Sequence, residues 1–150
     1  MATSRGRMAL VDDGKKLQQV QVELLADEVK DSVERFQQYG FTSVPLTGAE
    51  TVCVFLGGGR DHGIVVAIDD RRYRLTGLEN GDVALYTDEG TKIVLGRDRT
   101  ITVDCDTWNE TSKETVTVKT KAFKVECETL DLTASQSITV NSPSVDVNPS

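Results

Sequence analysis

Aromatic residues supply only 5% of this 150-residue chain, too few for the row of stacked rings on which unpaired bases usually lie. There is one histidine, His62, so a two-histidine metal site within one subunit is excluded, and with no nucleophile paired to it a general-base role is not expected. Three cysteines, Cys53, Cys105 and Cys127, stand far apart with no ligand spacing. Each lies on the apolar phase of an expected strand and reads as a reduced, buried small hydrophobe. No apolar run is long enough to cross a membrane, and no signal-peptide or lipidation pattern is seen, so synthesis and assembly in a cytoplasm are expected. A concentrated basic stripe is missing too. Arg71-Arg72-Tyr73-Arg74 follows Asp69 and Asp70 in a chain of net charge −7, and reads as a solvated or intersubunit turn, not a phosphate-binding surface.

What is present is a repeat. In the last third, apolar-x-apolar pairs recur: Ile101/Val103, a weaker beat at Trp108, then Val116/Val118, Phe123/Val125, Leu130/Leu132, Ile138/Val140 and Val145/Val147. The first members step by seven or eight residues. Within each beat the period is two, with Thr, Lys, Asp or Glu between, as in a strand buried on one face. A coiled coil would space its apolar positions by three and four, and the many Thr and Val favour pleated backbone over helix. The stretches between beats, such as Thr133-Ala134-Ser135-Gln136-Ser137, are too short for crossover helices.

Seven short strands form two or three coils of a solenoid, too few for one chain to close a core. Three identical chains wound about one axis would supply the missing partners. The expected trimer core is Ile101, Val103, Cys105, Val116, Val118, Phe123, Val125, Cys127, Leu130, Leu132, Ile138, Val140, Val145 and Val147. At ~4.8 Å per strand step, seven beats give a shaft on the order of 30–35 Å long. A trimer would gather three copies of Cys105 or Cys127, yet packing explains both residues better than a metal does.

Upstream, Arg7–Val11, Leu17–Leu25, Thr51–Leu56, Gly63–Ile68, Arg72–Leu75, Val83–Tyr86 and Lys92–Leu95 read as short strands, with Gly57-Gly58-Gly59, Asn80-Gly81 and Glu89-Gly90 as punctuation. Residues 26–38 suit either a strand or a short helix. Short, evenly spaced strands suggest a small barrel, and a five-stranded Greek-key OB-fold barrel fits the length. Expected boundaries are a flexible arm and first strand over 1–16, the barrel over 17–98, and a triple-stranded β-helix shaft with a short apex over 99–150. The glycine run lacks the Lys-Ser/Thr of a phosphate loop. The pairs Asp12-Asp13, Asp69-Asp70 and Asp88-Glu89 read as turn chemistry, so no catalytic residue is expected. Asn109-Glu110-Thr111 has the glycosylation pattern but reads as a polar loop.

Ordered motifs add to this. Tyr39-Gly40-Phe41-Thr42-Ser43, Pro45, Gly48-Ala49-Glu50, Phe55-Leu56-Gly57-Gly58, Asp61-His62-Gly63-Ile64-Val65, Asp69-Asp70-Arg71-Arg72-Tyr73-Arg74, Gly77-Leu78 and Gly81-Asp82-Val83-Ala84-Leu85-Tyr86 make the chain resemble the Mu-type baseplate spike family of contractile-tailed bacteriophages, also called baseplate assembly protein V. The likeness covers most of residues 5–100 and the tail. It implies a homotrimer of an OB-fold barrel and an intertwined β-helix, set at the distal end of the tail tube and driven against the host outer membrane on sheath contraction. It also implies tail-hub and baseplate partners, a virion location and mechanical work, not catalysis. Many relatives bind iron at the tip through His-x-His. This chain has no histidine after His62, so no cofactor is expected, and the apex would be short, metal-free or completed by a separate tip protein. Two other readings remain at this stage: the spike of a contractile bacteriocin or injection system, and a nucleic-acid-binding barrel with an oligomerising tail.

Overall fold

A computed structural model describes residues 2–25, 28–57, 59 and 62–146. It is all-β. Five strands, β1 (Ala2–Asp12), β2 (Gln19–Leu24), β3 (Val29–Arg35), β4 (Glu50–Phe55) and β5 (Gly63–Asp69), close into a barrel in the order β1-β2-β3-β5-β4, with β1 also pairing β4. Neighbours are antiparallel except β3 and β5, which run parallel. Three further strands, β6 (Val83–Tyr86), β7 (Lys92–Leu95) and β8 (Ile101–Asp104), form a separate antiparallel sheet. By contact the chain divides into two compact units, Met1–Trp108 and Asn109–Ser150.

Alternation builds the barrel core. Val20, Val22 and Leu24 of β2 point inward between solvent-facing Gln21 and Glu23, and Thr51, Cys53 and Phe55 of β4 do the same. Met8, Val33 and Val65 complete the fully buried set, with Val11 and Ile68 packed against it. Burial raises the pKa of the Cys53 thiol, despite the hydroxyl of Thr51 beside it. Closure demands local bending, and register shifts supply it on β1 between Met8 and Leu10, on the β2–β3 ladder and on the β4–β5 ladder. Ser32 takes up the β3 irregularity with φ 54°. At Gly6 a Cβ would stand 2.5 Å from the Glu23 carbonyl oxygen, so β1 and β2 approach as closely as they do only because glycine is there.

Three differences from the sequence reading stand out. The first strand begins at Ala2, not Arg7, because this segment is a barrel stave whose register runs from Ala2 opposite Phe55 to Arg7 opposite Glu50. In the ambiguous stretch, Val29–Arg35 is strand, since pairing with β2 and β5 overrides its weak helical periodicity; residues 26 and 27 lie outside the described residues. The strand expected over Arg72–Leu75 is a turn. Asp70 drives it: its carboxylate accepts from the Arg72 amide at 3.1 Å, and its carbonyl accepts from the amides of Tyr73 and Arg74 at 3.1 and 3.0 Å.

Candidate interaction surfaces

The β3–β4 connection is long but braced from both ends. At its start, the Arg35 guanidinium donates to the Gln18 side-chain oxygen (2.6 Å), to the Ser43 carbonyl (2.6 Å) and to the Ser43 hydroxyl (2.9 Å). Gln18 is itself buried and donates to Asp13 at 2.6 Å. Burial lowers the Arg35 pKa, and the Asp13 charge opposes that. Gln37 then accepts from the Ser43 amide at 2.9 Å, and Gly40, at φ 84°, turns the chain. At the far end Arg72 donates to the Thr47 carbonyl at 2.9 Å and to both oxygens of Asp70. Hydrogen bonding from Arg72 holds the Asp70 carboxylate below its usual range.

This bracing leaves apolar side chains outward. Tyr39 is fully exposed, and Phe36, Phe41 and Val44 are more than half exposed. The loop forms one wall of an open cleft of about 950 Å³, whose other lining includes Val66, Ile68, Leu85 and Tyr86. Exposed aromatic groups on a braced loop form the kind of surface that suits a protein partner.

Beside the barrel mouth, Glu50 accepts from Arg5 (2.9 Å) and from Arg71 (2.8 Å), and a further ion pair links Arg71 Nε to the same carboxylate. Hydrogen bonding from Arg71 is the main cause of a lowered Glu50 pKa, with Arg5 adding to it. The turn Arg71-Arg72-Tyr73-Arg74 therefore has two of its three guanidiniums committed to carboxylates. The Asp12 carboxylate accepts from the Gly14 amide and the Asp69 carboxylate from the Asp70 amide. His62 offers its carbonyl to the Leu56 amide at 3.1 Å, while Gly58 and Asp61 of the neighbouring motifs lie outside the described residues. Among the described residues no group of three or more His, Cys, Asp or Glu side chains is arranged to hold a metal.

The tail presents the other surface. Its backbone bends at Asp106, Lys113–Glu114, Lys121, Glu128, Ser135–Gln136 and Pro143, once between each pair of apolar beats. Hydroxyl groups brace several bends: Thr120 donates to the Ala122 carbonyl at 2.9 Å, and Ser112 to the Thr115 carbonyl at 3.0 Å. Yet among the described residues after Asp104 there is no strand. Of the residues expected in the trimer core, Val116, Val118, Phe123, Val125, Leu130, Leu132, Ile138, Val140 and Val145 are exposed in the single chain, as are Ile101, Val103 and Cys127. Cys105 is half-buried, and Val147 lies outside the described residues.

Sequence reasoning missed one grouping. In the second sheet Val83 faces Leu95, Leu85 faces Ile93, Ile93 faces Val103 and Leu95 faces Ile101. Directly paired residues share a face, so six apolar side chains stand together. The signal was available, because both expected hairpin strands alternate in the same phase.

In chain order the protein is a closed five-stranded barrel with a braced aromatic loop, a small sheet and a periodically bent apolar tail. Residues 5–72 match the family described as Bacteriophage Mu Gp45, N-terminal. The chain is 45% identical over 117 residues to the baseplate puncturing device gp45 of Escherichia phage Mu, covering 78% of this chain and 59% of that protein. It is 39% identical over 105 residues to the Mu-like prophage FluMu protein gp45 of Haemophilus influenzae, covering 70% of this chain and 57% of that one. The chain thus spans less than two thirds of the length of these relatives. These matches support the Mu-type baseplate spike family that its motifs resemble.

Proposed function

We propose that this chain is the central spike of a contractile phage tail baseplate, fixed to the tail hub through its barrel and driven into the host outer membrane when the sheath contracts. The carrying observation is the tail, whose bends keep the period of its apolar beats although no ladder forms among its described residues after Asp104. Backbone donors and acceptors in such segments need partners, and identical chains wound about one axis offer them in register. The relative named a puncturing device supports the same reading.

In this reading residues 99–150 form a triple-stranded β-helix in a homotrimer, with the expected core residues on the axis, Val147 included. Interleaved strands resist bending and cannot be drawn out singly, which is what a needle under axial load requires. The barrel strand order, with its parallel β3–β5 pair, supports the OB-type assignment. Its work is attachment: the aromatic loop over 36–46 is the surface offered to the hub. The task is mechanical and needs no cofactor, and the site of action is the virion baseplate. Nucleic-acid binding is not favoured, because Arg5, Arg71 and Arg72 are already engaged by Glu50 and Asp70 in a net-acidic chain.

The test is assembled mass, measured by sedimentation equilibrium, for the full chain and for one lacking residues 99–150. A trimer that becomes a monomer on truncation is expected. A monomeric full chain overturns the proposal, and a trimer that survives truncation moves the glue from the shaft to the barrel.

A further inference from the structure

The sheet β6–β7–β8 has one dry face and one wet face. Val83, Leu85, Ile93, Leu95, Ile101 and Val103 make the dry one. On the other, more polar face Lys92 stands opposite Asp104 and donates to it at 2.7 Å, Tyr86 faces Lys92, and the smaller Ala84 and Val94 pair beside Thr102. The sheet pairs only within its own three strands. Val83, Leu85, Leu95, Ile101 and Val103 all remain exposed, Ile101 by 67%. A small sheet with a bare apolar face is not stable alone in water and needs a cover.

We infer that this face is a collar, a second contact between copies of the chain that lies upstream of the shaft and meets the same face of the two sister chains. The inference rests on the trimeric reading proposed above. What identifies the occupant is continuity: Ile101 and Val103 belong both to the dry face and to the first beat of the repeat. An arrangement that brings the beats onto a threefold axis brings these two residues there as well, and β8 carries Leu95, Ile93, Leu85 and Val83 with it through the ladder. A different protein seated on this face would have to part the chains at the point where the shaft begins.

The collar is tested in the full-length protein with Leu85→Asp and Ile93→Asp on the dry face and Thr102→Asp on the wet face, each followed by sedimentation in increasing urea. The two dry-face variants are expected to raise the monomer fraction at least tenfold at a low urea concentration that leaves about one twentieth of the wild type dissociated, while Thr102→Asp stays near wild type. Leu85→Ser and Ile93→Ser serve if the aspartate variants fail to fold, with barrel melting as the check. Dry-face variants that dissociate like wild type overturn the collar and leave the shaft standing. A wild-type chain that is monomeric throughout overturns the trimeric reading itself. Normal assembly combined with lost binding to purified baseplate proteins assigns the face to another partner and also overturns the collar.

Discussion

The barrel and the tail spend their hydrophobic residues in opposite ways. In the barrel, Met8, Val20, Val22, Phe55 and Val65 are almost entirely removed from water by strands of the same chain. In the tail, Val116, Phe123, Leu130 and Ile138 have the same alternation and remain exposed. Both regions are β-patterned, so pattern alone does not decide whether a core is internal. Loop geometry does: the barrel's connections let distant strands meet, whereas the six residues between successive bends leave each described tail segment nothing of its own to pair with.

The sharpest way to break that contrast is Leu130→Asp. In the proposed trimer, three copies of an uncompensated polar group near the axis should each cost at least ~2 kcal/mol, converting it to monomer while barrel melting is unchanged. Calorimetry and sedimentation on the same sample check it, and a barrel that melts early would show the regions are not independent. Phe55→Ala is the mirror experiment, expected to destabilise the barrel by about 3–5 kcal/mol in urea unfolding while the chain remains trimeric. Gly6→Ala should cost about 1–3 kcal/mol by forcing β1 from β2, again without altering the oligomer. The smallest effect is expected from Glu50→Gln. Because Glu50 has a lowered pKa in the folded state, its clamp stabilises at neutral pH and is lost as pH falls through that lowered value. The variant should therefore unfold slightly earlier than wild type at pH 7 and match it in strong acid, and a difference that persists at low pH would assign the effect to packing.

Much of the barrel was legible because Val20-x-Val22-x-Leu24 and Thr51-x-Cys53-x-Phe55 state their inward phase directly. The start of β1 was not, since Thr3 and Arg5 are polar and owe their strand to pairing with Val54 and Val52 of β4. Arg72–Leu75 misled for the reverse reason: strand-compatible residues there yield to local hydrogen bonds accepted by Asp70. The aromatic loop was visible as a motif, but its rigidity depends on Arg35, Gln18 and Ser43 meeting across the fold. The tail's period was fully readable. Its ladder cannot be seen in one chain, because the proposed mates belong to other molecules.

The evenly spaced kinks also bear on how such a particle is made. In the proposed trimer a newly synthesised copy would finish its head alone, but its other end would mature by collision with two siblings, so that step would scale steeply with expression level. Dilute chains would linger as half-ordered intermediates, whereas crowded ones emerging from a shared message would zip together promptly.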